Sequence, residues 1–163
     1  MNCHLVIDSP LGNILIIGTE SEISCVEFIG DTDAVSSENP PEIVRRCATE
    51  LREYFEGTRR EFSVPLRQHG TEFQQNVWQQ LSSINYGNTI SYLDLALSLG
   101  DKKLVRAVGT ANGKNNIAIL VPCHRVIGSD GSLVGYAGEL WRKHWLLNHE
   151  QSTSGIASQL SLL

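Results

Sequence analysis

Residues Ile117 to Ile127 read Ile-Ala-Ile-Leu-Val-Pro-Cys-His-Arg-Val-Ile, an apolar run that stops at Pro122 and then presents a thiol, an imidazole and a guanidinium. The run predicts a short buried strand, ended by a proline that removes a ladder N–H. The fold must therefore bury Ile117 to Val121 and still deliver Cys123, His124 and Arg125 to a place where chemistry can happen. A chain of 163 residues, 41% apolar and 19% charged, can build a core for that purpose, as one large domain or two small ones. It carries no apolar run long enough to cross a bilayer, and its start, Met-Asn-Cys-His, lacks a basic stretch followed by an apolar one. We therefore expect an intracellular, cytoplasmic protein, nuclear if the source is eukaryotic. Cys3, Cys25, Cys47 and Cys123 are widely spaced with no C-x-x-C pattern, so no disulfide framework is expected.

The first half alternates apolar runs with turn residues. Leu5 to Ile7, Ile14 to Ile17 and Ile23 to Ile29 are separated by Ser9-Pro10-Leu11-Gly12-Asn13 and Glu20-Ser21-Glu22, which predicts an antiparallel meander of three strands. Pro41 and Gly57 punctuate a helix whose Val44, Cys47, Leu51, Tyr54 and Phe55 fall at helical spacing. Phe62, Val64 and Leu66 alternate and predict a further strand within residues 58–70.

The second half opens on Thr71-Glu72-Phe73-Gln74, a capping box. Phe73, Val77, Leu81 and Ile84 mark the buried face of the helix it starts. Ser91 caps a second helix that stops at Gly100, and Asp101 caps a third that runs to about Gly113. Helix, tight turn, helix is the helix-turn-helix pattern. In the third helix Leu104, Val108 and Ala111 recur on one side and Arg106, Gly109, Thr110 and Gly113 on the other. Two glycines in a helix cost about 1 kcal/mol each relative to alanine. Close approach of a ligand such as DNA would justify them, and so would packing under a neighbouring helix; periodicity leaves both open. Four glycines between Gly128 and Gly138 flank Tyr136 in a turned loop, and a last helix covers Glu139 to about Glu150.

Charge is unevenly placed. The net charge is -5, with 12 Asp/Glu against 6 Lys/Arg in residues 1–69 and 6 against 7 in residues 70–163, so the second half can approach phosphates without strong repulsion. At Cys123, only a thiolate is a strong nucleophile, and an adjacent imidazole oriented by a carboxylate can supply one. A Cys-His pair alone is more often a buried cysteine beside a structural histidine.

Four stretches resemble one family in order: Ile90-Ser91-Tyr92, Arg106-Ala107-Val108-Gly109, Val121-Pro122-Cys123-His124-Arg125-Val126 and Leu146-Leu147-Asn148-His149-Glu150. They are similar to the O6-alkylguanine-DNA alkyltransferases, and Asp8-Ser9-Pro10-Leu11-Gly12 extends the likeness weakly into the first half. The resemblance implies an α/β (α+β) fold: an N-terminal ribonuclease H-like domain of small sheet plus helix over residues 1–69, a C-terminal helical, winged-helix-like domain with the helix-turn-helix over residues 70–150, and a weakly ordered tail over residues 151–163.

It also implies roles. Cys123 would accept the alkyl group, His124 deprotonate it, Glu150 orient His124, and Asn115 brace the turn. Tyr92 would hydrogen-bond the departing guanine, and Lys143 touch the same region. Tyr136, Ala137 and Gly138 would wall the base pocket, with the carbonyls of Cys123 and Val126 receiving the guanine amino group. Arg106 would enter the base stack as the nucleotide flips out, on a helix lying in the minor groove; Ala107, Gly109, Thr110, Ala111, Gly113 and Arg125 complete the substrate and DNA contacts. The implied partner is double-stranded DNA carrying O6-alkylguanine, met by a monomer, with no membrane, cofactor or metal; O4-alkylthymine is a further candidate substrate. Because a thioether is not hydrolysed, each molecule would act once.

Departures from the family pattern carry expectations too. Asn116 in place of proline is expected to loosen the turn beside Asn115, Glu139 in place of glycine to narrow the pocket, and Lys102 in place of proline to add a phosphate contact. Two rival readings are a non-repair module that binds alkylated DNA, against which the presence of Cys123 argues, and a cysteine hydrolase, which would turn over esters or amides and ignore DNA.

Overall fold

The computed structural model describes residues 1–31 and 34–154. Its described residues form two compact units: one drawn from residues 1–68 with 116–120, and one of residues 69–115 with 121–154. Together they make a mixed α/β protein with a small N-terminal sheet and a helical C-terminal part.

In the first unit β1 (Cys3–Ile7), β2 (Asn13–Gly18) and β3 (Ile23–Gly30) form an antiparallel sheet in that order. The first turn is fastened by Gly12 N–H to Ser9 O at 3.1 Å, with Gly12 at φ 96°, a conformation that favours glycine. Ile7, Ile14, Ile16, Ile23 and Val26 are buried, as are Val44, Cys47, Leu51 and Tyr54 of α1 (Glu42–Glu56). Gly18 lets sheet and helix meet: a Cβ there would lie 3.0 Å from Val44 Cγ2. Pro41 occupies the N-cap of α1, and Gly57, in the left-handed region, ends it by donating to Tyr54 O and Glu53 O. Glu50, buried on α1, accepts from Ser63 N and Ser63 Oγ and lies 3.5 Å from Arg59.

Two expected strands are absent. Residues 58–70 make a single parallel bridge, Ile23 to Leu66, because Pro65 interrupts the run and has no N–H for a ladder. The apolar stretch 117–121 likewise makes one bridge, Val26 to Ile117, flanked by Val26 N–H to Asn116 O and Ala118 N–H to Val26 O, each 2.9 Å. Ile119 then turns the chain at φ 71°, closing a three-residue turn in which Leu120 N–H reaches Ala118 O at 2.8 Å. Ile117 and Ile119 are buried, so the run is apolar because it is a core plug; a short apolar run cannot distinguish plug from strand by periodicity. Asn116 donates its backbone N–H to Gln68 Oε1 at 3.0 Å. A proline has no such proton, so the departure at this position adds a tether and the expected loosening is not found.

The second unit starts with α2 (Glu72–Ser82), whose capping box is complete: Gln74 N–H to Thr71 Oγ1 at 3.1 Å and Thr71 N–H to Gln74 Oε1 at 2.9 Å. Val77, Trp78 and Leu81 are buried, and Phe73 is half-buried. Ser91 caps α3 (Tyr92–Ser98) through Asp94 N–H, and Asp101 caps a 3₁₀ turn, Lys102–Leu104, that runs into α4 (Val105–Gly113). Trp78 Nε1 donates to Ala111 O at 2.9 Å, locking α2 to α4. A two-residue parallel pair, β4 (Ile90–Ser91) with β5 (Val126–Ile127), joins the start of α3 to the chain just after Arg125. The last helix, α5 (Leu140–Thr153), continues past Glu150. Residues 151–153 of the expected tail are therefore helical, because Tyr86 hydrogen-bonds Thr153 and a Cβ on Gly87 would lie 2.8 Å from Ser154; the remainder of the tail lies outside the described residues.

Candidate active site

Cys123 opens a 3₁₀ turn, Cys123–Arg125, directly after Pro122. Its N–H closes a tight turn onto Val121 O at 2.8 Å, which holds the sulfur beside a cavity of about 110 Å³. The residue is 6% exposed. Asn115, just beyond α4, donates from Nδ2 to Val121 O at 2.8 Å and to Cys123 Sγ at 3.2 Å. One amide thus braces the turn and touches the nucleophile. Burial pushes the thiol up, while the Asn115 N–H and the Lys143 ammonium pull it back. The net direction is upward, so the resting group is a thiol and needs a base before it can attack.

That base is at hand. His124 is fully buried, with Nε2 2.7 Å from Glu150 Oε2. Burial pushes the imidazole below its usual 6.5 against the pull of Glu150. A neutral ring whose Nε2–H faces a carboxylate presents Nδ1 as its basic nitrogen, and Nδ1 has no hydrogen-bond partner among the described residues. Burial would raise the Glu150 carboxyl, but His124 and Arg125 outweigh it and hold it well below the usual carboxylate range. Arg125 supplies a fork: Nε to Oε1 at 2.8 Å and Nη2 to Oε2 at 3.1 Å, with Nη1 donating to Ile84 O at 2.6 Å.

Lys143, on α5 with Glu150, is buried and donates from Nζ to Val134 O at 3.0 Å and Gly135 O at 3.1 Å. Burial brings it down to about 8. Tyr92, at the start of α3, donates its hydroxyl to the same Val134 O at 3.2 Å. Two site residues therefore hold one edge of the glycine loop against the cavity.

These shifts predict an acid-labile fold. His124 binds its proton less readily when folded than when unfolded, so stability declines as pH falls below 6.5. Glu150 has its pKa depressed by folding, so its contribution is present above its ordinary 4.5 and is lost as pH falls towards the folded value. Thermal unfolding measured from pH 7 to pH 4 should show a steadily falling Tm. A flat profile would contradict the assigned protonation states.

The remaining expected site residues divide. Gly109, Gly113, Tyr136 and Ala137 line the cavity with Cys123, Asn115 and Tyr92. Arg106, Ala107, Thr110 and Gly113 are exposed on α4, and Arg106 makes no ion pair among the described residues. Three positions differ from expectation. Ala111 is buried and its carbonyl is used by Trp78, so it faces the core as its helical spacing predicts, whereas the resemblance implies a DNA contact there. Arg125 is buried on Glu150, where releasing it would strand a buried carboxylate, so its side chain serves the ion pair in this structure. Gly138 is outside the cavity lining, its carbonyl accepting from Arg142 Nη1 at 3.0 Å. The Val126 side chain is fully buried, leaving only its backbone for a base.

Glu139 does not narrow the cavity. Its carboxylate accepts from Trp141 Nε1 at 2.7 Å and lies 3.9 Å from Arg142, and the residue occupies the N-cap position of α5, with no side-chain cap hydrogen bond, at φ 76°, ψ 148°, a region that favours glycine. Asn112 was not anticipated. It is buried, lines the cavity, and donates from Nδ2 to Cys123 O at 3.3 Å. Its signal was a polar residue one turn after Val108, on the apolar side of α4.

Comparison with known proteins places this geometry in context. Residues 3–68 match the family model for the ribonuclease-like domain of 6-O-methylguanine DNA methyltransferase, and residues 72–152 match that for its DNA binding domain. The chain is 42% identical over 160 residues to the constitutive methylated-DNA--protein-cysteine methyltransferase of Bacillus subtilis, covering 93% of this chain and 96% of that one. It is 41% identical over 153 residues to the methylated-DNA--protein-cysteine methyltransferase of Methanosarcina barkeri, covering 90% and 96%. Among solved structures, the O6-methylguanine methyltransferase of Mycobacterium tuberculosis superposes with a TM-score of 0.84 at 40% identity, covering 94% of each chain. OGT of the same organism in complex with DNA gives 0.82 at 42% identity, covering 91% and 92%.

Proposed function

The chain belongs to the 6-O-methylguanine DNA methyltransferase family, and on that premise we propose that Cys123 is the residue that receives the alkyl group. The protein repairs DNA by direct transfer of an alkyl group from methylated DNA to a cysteine of its own. The observation that carries the assignment to Cys123 is the pairing of a buried thiol, contacted by Asn115 at 3.2 Å beside a cavity, with a neutral buried imidazole held by Glu150 at 2.7 Å.

The step balances with no added reagent. Cys123 Sγ attacks the carbon on O6 in line; the C–S bond forms as the C–O bond breaks, and its electron pair leaves with the guanine oxygen. The thiol proton passes to His124 Nδ1, directly or through solvent, and Glu150 stabilises the imidazolium that forms. The departing purine takes a proton from solvent, while the Tyr92 hydroxyl turns from Val134 O, which Lys143 still holds, to donate a hydrogen bond to it, so that charge is neutralised as the bond breaks. Neither water nor imidazole cleaves the thioether, so one molecule repairs one lesion. A titration of protein against O6-methylguanine duplex should end at one alkyl group per molecule; continued turnover would indicate a hydrolase.

A stacked base cannot reach the sulfur of a residue that is only 6% exposed, so the nucleotide must leave the duplex first. Arg106 and the small residues Ala107, Thr110 and Gly113 on the exposed side of α4 support a minor-groove approach, with Arg106 filling the gap in the stack. Arg106→Ala should slow transfer from duplex roughly ten- to hundred-fold, on the scale of the few kcal/mol that unstacking costs, and leave reaction with free O6-benzylguanine unchanged. Equal slowing with both substrates would refute the finger role. The proposed setting is a monomer acting in the cytoplasm.

A further inference from the structure

Asn112 is a polar side chain on the core side of α4, one turn after the buried Val108, and it is 4% exposed. It lines the cavity together with Cys123 and Tyr92. Gly109, about one turn earlier, brings α4 against the Tyr92 ring, where an added Cβ would sit 4.0 Å from Cδ1. The Asn112 amide meets two oxygens. Cys123 O is a carbonyl and only accepts, so it faces the NH2 end, with Nδ2 at 3.3 Å. The second oxygen is the Tyr92 hydroxyl, which is hydrogen-bonded to the Asn112 side chain.

The direction of that second bond follows from counting protons. A phenol has one, and Tyr92 gives it to Val134 O at 3.2 Å. The Tyr92 oxygen therefore meets Asn112 as an acceptor, and the amide donates. An NH2 group has two protons, one for each oxygen. Turning the amide by half a rotation would set Oδ1 against Cys123 O, acceptor against acceptor. Oδ1 has no hydrogen-bond partner among the described residues, so the nitrogen carries both bonds.

Both bonds bear on the transfer step. As the purine leaves, the Tyr92 hydroxyl turns away from Val134 O, which keeps the Lys143 ammonium at 3.0 Å. The hydroxyl swings about its own C–O bond while the Asn112 N–H holds the oxygen in place. A hydroxyl that accepts a hydrogen bond also donates a stronger one. Burial pushes the Tyr92 hydroxyl up, and the bond from Asn112 pulls it back. The other amide proton holds Cys123 O, so one nitrogen sets the spacing between the residue that attacks and the residue that meets the departing purine.

We infer that Asn112 is a positioning residue for the transfer step: its NH2 group donates to the Tyr92 hydroxyl and holds it as the hydrogen-bond donor to the departing purine. The inference rests on the assignment of this cavity as the base pocket and of Tyr92 as that donor.

The test is a double-substitution cycle on the single-turnover transfer rate with O6-methylguanine duplex. Asn112→Leu should slow transfer about tenfold, the size of one net hydrogen bond, and leave the duplex concentration for half-maximal rate within about twofold. The same substitution made in Tyr92→Phe, where no hydroxyl remains to be held, should slow transfer by less than about twofold further, because Asn115 still braces the turn at Val121 O. A residue that acts through Cys123 O or through packing slows both backgrounds alike, and that result would overturn the inference. An unchanged rate in Asn112→Leu would overturn it too, as would a Tyr92→Phe protein that transfers at the unmodified rate. Should leucine disturb the helix, judged by a fall in Tm, Asn112→Ala carries the same cycle. Absence of transfer by the unmodified protein would overturn the reading of the site itself.

Discussion

Cys123→Ala abolishes alkyl transfer and keeps DNA binding, in the result expected from this site. The sulfur is the group with which the proposed step forms a bond, so no residual rate remains above that of solvent. The other thiols offer no substitute. Cys47 is buried in α1, with its thiol pushed up to about 12 by burial and by Glu50. Cys25 is pushed up to about 11 by burial and by Glu27, and both belong to the first unit. The substitution costs little in folding, because Asn115 still donates to Val121 O at 2.8 Å and holds the turn. The helix face that carries Arg106 is untouched, so binding to duplex measured by mobility shift should stay within a few-fold. Loss of binding along with transfer would mean that the turn at Cys123 organises the DNA surface.

Glu150→Gln should be the most damaging change that leaves the thiol in place. The carboxylate is 1% exposed and accepts from His124 and from both arms of the Arg125 fork. Neutralising it strands a guanidinium in the interior, and losing one partner of a buried pair costs about 3–5 kcal/mol. The same change removes the negative charge that stabilises the imidazolium, so transfer slows as well. The two effects can be separated. Glu150→Gln with Arg125→Met removes both charges, and replacing a buried pair by neutral groups of similar size is often close to neutral. Urea unfolding should show most of the lost stability restored in the double variant, whereas the transfer rate should stay low. Recovery of the rate together with stability would show that Glu150 acts only through folding.

Much of this arrangement was legible in the residues, for identifiable reasons. Thr71 with Gln74, Ser91 with Asp94, and Asp101 each announce a helix start through a side chain that satisfies a backbone N–H, and all three caps form. The meander β1 to β3 follows from alternation punctuated by turn residues. What failed was the inference from apolar runs to strands. Residues 58–70 and 117–121 each contribute one bridge, and the turn at Ile119 depends on a φ of 71° that no local rule assigns to a β-branched residue. The pairing of Ile90 with Val126 was equally hidden, since two-residue strands have no period to detect.

At the site, proximity in sequence misled in one case and carried no information in others. Arg125 stands next to His124 and could be taken for a DNA contact, but the 3₁₀ turn directs it inward onto Glu150. Glu139 stands beside the pocket loop, yet its carboxylate is engaged by Trp141. The partnership of Arg125 with Ile84 O joins residues far apart in the chain. Asn112 is a polar residue on an apolar helix face, and only the fold shows that its amide NH2 holds Cys123 O.

The most direct test of the central claim is the mass of the intact protein after reaction with a duplex carrying one O6-methylguanine, followed by peptide mapping. The account predicts that each molecule gains one methyl group in place of a thiol hydrogen, that the gain lies on the peptide containing Cys123, and that a second excess of duplex adds nothing. No gain, or a methyl group on Cys3, Cys25 or Cys47 with Cys123 unmodified, would contradict it.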